Sequence, residues 1–271
     1  MGRQMEGFMN TITKDIILVK ETSEFFMEVN GVKLHMKLEL PASAEEKIPL
    51  LILVHGFTGH MEEPHLVGFK NETVKAGYAC LRVELYGHGK SDGLFCDHDL
   101  NIWLDEITDI IDYAETLPWV SKLILAGHSQ GGLLTVLAGA KRPESLDALI
   151  PLSPGFTIPD EGRSGVCFGI FHFDPDNVPE RVDIFGGLYL HANYFQVSQK
   201  IYPYESCKVY DGPVRIIHGE CDDIIPIEAS KKAVSFYKNC KVAEIPGDNH
   251  GFEKHLDLML VEAGKILAEL K

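Results

Sequence analysis

A single serine, Ser129, has the surroundings of an activated nucleophile. It lies in the stretch AGHSQGG (126–132), between an apolar run at 122–126 and another at 133–140. The pattern G-x-S-x-G at a strand-to-helix junction is typical of a strained turn that exposes a serine hydroxyl. The glycines leave room for the neighbouring strand and helix, and the helix N-terminus favours negative charge beside the serine. A glycine-rich turn in which Ser129 only caps the helix is the less specific alternative.

A nucleophilic serine needs a histidine base, and the base needs a carboxylate that orients it. Two later segments, HGECDD (218–223) and PGDNH (246–250), each follow an apolar run. Open α/β sheets assemble their sites beyond the carboxyl ends of such strands. We therefore predict Asp222 as the acid and His250 as the base. Asp223 is the competing acid, and the spacing H-G-x-x-D favours Asp222.

The oxyanion formed during acyl transfer requires two backbone N–H donors. One predicted donor is Gln130, the residue after the nucleophile. The other is Phe57, in the loop HGFTGH (55–60) that follows the apolar run 50–54. A third glycine-rich loop, YGHGKSDG (86–93), is predicted to be a turn near the site without a chemical role.

Two kinds of strand pattern position these loops. Residues 32–40 alternate between apolar and polar side chains, which predicts an antiparallel strand at the sheet edge with one wet face. Four continuous apolar runs instead predict strands buried on both faces of a parallel sheet, at 50–54, 122–126, 148–152 and 214–218.

Helical patterns lie between the predicted strands. Apolar residues recur every three or four positions from Trp103 to Ala114 and from Leu256 to Leu270. Alternating strands and helices from about residue 50 onward predict an α/β fold, with a mostly parallel, doubly wound sheet. We place this domain at residues 25–271, after an N-terminal extension of unknown role at 1–24.

Residues 155–206 interrupt the alternation and are predicted to be an insertion between the strands at 148–152 and 214–218. They contain no clear buried strand, yet they hold ten of the 23 Phe and Tyr residues of the chain.

Composition narrows the possible partners and cofactors. The 271-residue chain has a net charge of −15, which argues against nucleic-acid and anionic-membrane partners. No apolar run reaches the roughly 20 residues needed to cross a bilayer or forms a signal peptide, so we expect a cytoplasmic protein. The six cysteines lack zinc-site spacing, and we expect reduced, mostly buried thiols, no metal and no cofactor.

The chain from about residue 25 onward resembles the cinnamoyl and feruloyl esterases of gut bacteria, within the α/β-hydrolases. The resemblance rests on HGFTGH, YGHGKSDG, AGHSQGG, PLSP, HGECD and IPGDNH, and on FDPDNVPE and NYFQVSQ in the insertion. It implies hydrolysis of hydroxycinnamate esters, with ferulate, caffeate or p-coumarate as the acid. It also implies that the insertion is a lid that forms the pocket for the aromatic acid, and that Glu161 and Tyr194 meet the ring hydroxyls. Phe185 is a further predicted substrate contact.

Two other functions remain open on the sequence. A monoacylglycerol lipase or a general short-chain carboxylesterase would share the first motifs and would also need an apolar lid. A binding protein on the same fold would need no working triad, and fold alone does not exclude it. The expected partner is a small aromatic ester, and a homodimer is possible.

Overall fold

The computed structural model describes residues 23–42 and 47–271 of the protein. Most of the predicted extension at 1–24 lies outside the described residues. Its last two residues, Ser23 and Glu24, belong to the first strand, which runs from Ser23 to Val29. The sheet therefore begins two residues before the predicted boundary at residue 25.

Twelve strands occur within the described residues. They are β1 (Ser23–Val29), β2 (Val32–Glu39), β3 (Ile48–Val54), β4 (Ala79–Val83), β5 (Val120–His128), β6 (Ala148–Leu152), β7 (Val166–Cys167), β8 (Phe171–His172), β9 (Arg181–Asp183), β10 (Tyr189–His191), β11 (Val214–Gly219) and β12 (Cys240–Ile245). Eight of them form one sheet in the order β1-β2-β4-β3-β5-β6-β11-β12. All pairs from β4 to β12 are parallel, and the four predicted buried strands lie among them.

Strand β2 departs from its prediction in two ways. It is not at the edge, because β1 pairs with it antiparallel on the outer side. Its polar face is not uniformly wet either, because His35 and Glu39 are buried. The Glu39 carboxylate pairs with the buried Arg82 guanidinium, and His35 Nδ1 lies 2.7 Å from Glu84 Oε2. Ion pairs thus allow polar side chains to face the interior.

Eight α-helices are described, together with 3₁₀ turns at Phe95–Asp97 and Phe185–Gly187. The helices are α1 (Pro64–Lys75), α2 (Leu100–Glu115), α3 (Gln130–Lys141), α4 (Ile158–Ser164), α5 (Ala192–Ser198), α6 (Pro203–Cys207), α7 (Ile227–Val234) and α8 (Leu256–Leu270). Helices α1 and α8 pack in one hydrophobic core, and α2 and α3 pack in the other. Helices therefore cover both faces of the sheet, and the predicted doubly wound α/β fold is confirmed.

Helix α2 shows how local sequence fixes an element. The Asp99 side chain caps it by accepting hydrogen bonds from the Asn101 and Ile102 N–H groups at 2.7 and 2.9 Å. Trp103 and Ile107 then face the core, as the periodicity predicts. No helix within residues 23–42 and 47–271 is long and apolar enough to cross a membrane.

The segment between β6 and β11 contains the predicted insertion, 155–206. It is built from α4, α5, α6 and two separate two-stranded sheets, β7–β8 and β9–β10. These strands are only two or three residues long, which explains why no buried strand pattern marks them in the sequence. Helix α5 joins the insertion to the main domain, because Tyr194 Oη donates to Gln130 Oε1 at 2.6 Å.

Candidate active site

Ser129 lies at a sharp turn between β5 and α3. Its backbone has φ 55° and ψ −116°, a region that is costly for a residue with a side chain. The surroundings hold it there, because Ser129 N–H donates to Leu152 O at 2.9 Å and Ser129 O accepts from Gly155 N–H at 2.8 Å. This is the strained serine turn that the sequence predicts.

The glycines on either side of Ser129 are required by close backbone approach. A side chain at Gly127 would collide with the carbonyl oxygen of Gly131. A side chain at Gly131 would collide with the carbonyl oxygen of His55. Neither obstacle can rotate away, because both are main-chain atoms. The turn therefore lets α3 pack directly against the end of β3.

Asp222 and His250 meet beyond the ends of β11 and β12. His250 Nδ1 donates to Asp222 Oδ2 at 2.7 Å, which leaves Nε2 as the proton acceptor. The other carboxylate oxygen, Oδ1, accepts from the N–H groups of Ile224 and Ile225 at 2.9 and 2.8 Å. Burial alone would raise the pKa of Asp222, but hydrogen bonds from His218 and His250 outweigh it and lower the pKa. Asp222 is therefore held as a carboxylate.

The competing acid, Asp223, has a different position. Its side chain is exposed and lines the cavity in front of Ser129. It forms no hydrogen bond to His250 within the described residues. The geometry brings Asp222, and not its neighbour, to the histidine.

His218 is a part of the site that the sequence reasoning did not assign. It is fully buried, and its Nε2 lies 3.0 Å from Asp222 Oδ2 and 2.9 Å from Ile225 O. Its Nδ1 lies 2.7 Å from the Ser230 hydroxyl. A neutral ring with its proton on Nε2 satisfies all three contacts. His218 thereby helps to hold the same carboxylate oxygen, Oδ2, that His250 contacts.

The predicted oxyanion donors lie next to the nucleophile. Gln130, directly after Ser129, is the first residue of α3. The loop that carries Phe57 also approaches the nucleophile closely, because a Cβ atom added to Gly56 would lie only 3.1 Å from Ser129 Cβ. The N–H groups of Phe57 and Gln130 donate to no acceptor within the described residues. Both are therefore free to bind an oxyanion.

Two histidines shape the Phe57 loop. His55 Nε2 accepts from Leu85 N–H at 3.1 Å, so its proton is on Nδ1, which donates to Gly56 O at 2.7 Å. Burial lowers the pKa of His55 to about 3, in keeping with a neutral ring. His88, from the loop predicted to be a turn, lies 2.5 Å from Phe57 O through Nε2. That loop positions the oxyanion site.

Ser129 and His250 open into a cavity of about 660 Å³. One part of the lining is an aromatic wall of Phe57, Phe168 and Phe185. The Phe168 ring centroid lies 5.6 Å from that of Phe57 and 5.1 Å from that of Phe185. The Ser129 hydroxyl makes no hydrogen bond to His250 within the described residues. Serine–histidine contacts of this kind often tighten only when substrate is bound.

The three predicted substrate contacts have different positions. Phe185 lines the cavity. Tyr194 is buried and donates to Gln130, and Glu161 Oε2 accepts from Phe168 N–H at 3.0 Å. Neither Glu161 nor Tyr194 lines the cavity, so each has a protein partner in place of a substrate hydroxyl. Their contact with substrate stays a prediction.

Another part of the cavity lining is a polar wall, and the sequence reasoning missed it. Glu63, His65 and His128 line this side of the cavity. Burial lowers the pKa of both imidazoles, that of His65 to about 4. No short motif marks this group, because Glu63 and His65 precede His128 by more than sixty positions.

The chain is similar to several known proteins. A family described as serine aminopeptidase, S33, matches residues 45–168. The structure of Est1E from Butyrivibrio proteoclasticus, solved with ferulic acid bound, is 43% identical with a TM-score of 0.88, covering 91% of this chain and 98% of that one.

Curated relatives are more distant. The mitochondrial palmitoyl-protein thioesterase ABHD10 of Rattus norvegicus is 26% identical over 69% of this chain, which spans 65% of the rat protein. The bifunctional esterase/perhydrolase DCH of Acinetobacter calcoaceticus is 24% identical over 66% of this chain and 77% of its own length. The identity and coverage against Est1E show a common family, and this chain belongs to the α/β-hydrolases.

Proposed function

We propose that the protein is a carboxylester hydrolase that cleaves esters of hydroxycinnamic acids. The observation that carries this proposal is the aromatic wall of Phe57, Phe168 and Phe185 directly beside Ser129. A flat acyl group needs a slot with apolar walls, and ring contacts contribute about 0.5–1.5 kcal/mol per good pair. Ferulic acid bound to Est1E, at 43% identity, supports an acid of this class.

Acylation follows from the geometry of the site. Ser129 Oγ attacks the ester carbonyl carbon while His250 Nε2 accepts its proton. Asp222, bonded to His250 Nδ1 at 2.7 Å, holds the ring and stabilises the imidazolium that forms. The carbonyl oxygen becomes an oxyanion and binds the N–H groups of Phe57 and Gln130. When the intermediate collapses, the ester C–O bond breaks and His250 donates the proton to the departing alcohol.

Deacylation repeats the same steps with water. His250 Nε2 takes a proton from a water molecule, whose oxygen attacks the acyl carbon on Ser129. The second oxyanion binds the same two N–H groups. Its collapse breaks the bond to Ser129 Oγ, which regains a proton from His250. The products are the free acid and an unmodified enzyme.

A second acyl class is suggested by the curated relatives. The rat protein is named a palmitoyl-protein thioesterase, and a thioester would pass through the same acyl-serine intermediate. A palmitoyl chain needs a long apolar channel, whereas the lining of this cavity includes the polar side chains of Glu63, His65 and His128. This polar wall favours the short aromatic acid.

The experiment is a comparison of kcat/KM across acyl groups with one alcohol. Methyl ferulate, caffeate and p-coumarate should be hydrolysed faster than methyl laurate and methyl palmitate. Methyl cinnamate, which lacks the phenol, should fall between them. A faster rate on laurate or palmitate would contradict the proposal and favour the lipase alternative, and a faster rate on an acyl thioester would favour the thioesterase.

A further inference from the structure

Three metal-binding side chains converge on the polar wall of the cavity. Glu63 and His65 come from the start of α1, and His128 comes from the end of β5. One ligand atom of each residue lies within 4.8 Å of the other two. The fold, and not the sequence spacing, brings them together.

Two potential ligand atoms of this cluster have no hydrogen-bond partner in the described part of the chain. They are Glu63 Oε2 and His65 Nε2, and both are buried. The His65 residue is only 5% exposed. Buried polar atoms in proteins are almost always paired, so two orphans in one cluster point to a ligand that would pair them.

We propose that Glu63, His65 and His128 form a binding site for Zn²⁺ or a similar divalent transition ion. Two imidazoles and one carboxylate are ligands that Zn²⁺ prefers, and three protein ligands leave a fourth position open to water. A tetrahedral ion with these ligands separates the donor atoms by about 3.3 Å. The donor atoms, all within 4.8 Å of one another, would draw together around such an ion.

This ion inhibits the esterase and is not its cofactor. The site shares its cavity with Ser129, so a bound ion and its water occupy space beside the nucleophile. The rings of His128 and His250 have centroids 4.8 Å apart, and His128 Nε2 lies 2.9 Å from His250 O. A cation there opposes the positive charge that His250 must acquire, which lowers kcat.

The test measures binding and inhibition separately, and only the inhibition arm rests on the proposed function. Binding of Co²⁺ to the metal-free protein is followed by visible absorption, and binding of Zn²⁺ by calorimetry. The variants are Glu63→Gln and His65→Gln, so that either one serves if the other misfolds. Hydrolysis of a small acetate ester is then measured with added Zn²⁺ and again after EDTA.

Two matched controls separate this site from other metal-binding groups. Cys96, Asp97 and His191 form a second cluster, without orphaned buried atoms in the described residues, and His191→Asn removes it. Cys221→Ser removes the exposed thiol next to Asp222. Both controls should bind and respond to Zn²⁺ as the wild type does.

The expected result is one tight Zn²⁺ site in the wild-type protein, reversible by EDTA. Loss of one ligand in Glu63→Gln or His65→Gln should weaken binding by about 100-fold or more and raise the inhibitory concentration in parallel. The proposal is overturned if the wild type binds no Zn²⁺, if both variants bind it unchanged, or if His191→Asn or Cys221→Ser abolishes binding. Binding without inhibition would retain the site and refute its inhibitory role.

Discussion

The loops at the carboxyl ends of β5, β11 and β12 contrast with the insertion at 155–206. In the loops, the Asp222 side chain is fully buried, and both of its oxygens accept hydrogen bonds. In the insertion, the strands are two or three residues long, and Phe185 is 40% exposed. The parallel sheet thus fixes the reacting groups, while the insertion contributes Phe168 and the more exposed Phe185 to the wall proposed to bind the acyl group.

This difference separates two kinds of effect. Changes in the loops should slow every ester by the same factor, because all esters pass through the same intermediate. Changes in the insertion should alter the ratio between aromatic and small acyl groups. The predictions below test this division.

The largest effect should come from the nucleophile. Ser129→Ala removes the attacking oxygen and should lower kcat by roughly 10³–10⁶ on every ester, since members of a triad act as a unit. Steady-state assays with ferulate and acetate esters check this, with Ser235→Ala, an exposed serine, as the control. Near wild-type activity in a folded Ser129→Ala protein would exclude Ser129 as nucleophile.

The acid should have the next largest effect. Asp222→Asn favours the wrong His250 tautomer and should cost on the order of 10⁴ in kcat. The adjacent Asp223→Asn is a matched control and should retain most of the activity, because Asp223 does not contact His250. The reverse order of effects would place the acid one residue later.

Tyr194→Phe tests the boundary between the two regions. Its hydroxyl donates to Gln130 Oε1, so the variant leaves a buried acceptor unpaired and should lose about 1–3 kcal/mol of stability. Because Gln130 is also a predicted oxyanion donor, the rates on ferulate and cinnamate esters should fall by a similar small factor. Tyr202→Phe, an exposed tyrosine of the same segment, is the control.

A shrinking gap between ferulate and cinnamate in Tyr194→Phe would show instead that Tyr194 meets the phenol of the substrate. That outcome would support the substrate contact predicted by resemblance, and Tyr194 would then act on specificity as the rest of the insertion is expected to do.

The smallest effect on activity concerns a buried carboxyl on α2, that of Glu106. Burial raises the pKa of Glu106 from 4.5 to about 8. The folded state therefore binds an extra proton between these values, and the free energy of unfolding should fall, by roughly 5 kcal/mol at most, as pH rises through this window. Glu106→Gln should flatten the profile, whereas Glu115→Gln, exposed on the same helix, should not. An unchanged profile in Glu106→Gln would contradict the assignment.

Much of the fold is predictable from local patterns. The four buried strands, the faces of α2 and α8 and the serine turn all follow from runs of neighbouring residues. Strand β2 was misplaced at the edge because the pairing of β1 with it, and of Glu39 with Arg82, depends on tertiary contacts. The alternation of apolar and polar residues along β2 predicts a strand, but it does not show which distant residues pair with its polar side chains.

The site divides in the same way. Short motifs placed Ser129, Asp222 and His250, and the structure brings the last two together at 2.7 Å. The support from His218 and the group of Glu63, His65 and His128 depends on how α1, β5 and β11 are arranged, which no spacing encodes. The resemblance placed Glu161 and Tyr194 at the substrate, but their partners in the structure are protein groups.

The most direct test of the account is to identify the residue that carries the acyl group. The enzyme is mixed with methyl ferulate, quenched in acid during turnover, digested and analysed by peptide mass spectrometry. In the wild type, we expect one feruloyl group on the peptide that contains Ser129. The amount should increase in Asp222→Asn if deacylation slows more than acylation. The group should be absent in Ser129→Ala. A feruloyl group on another residue, or undiminished turnover by Ser129→Ala, would contradict the account.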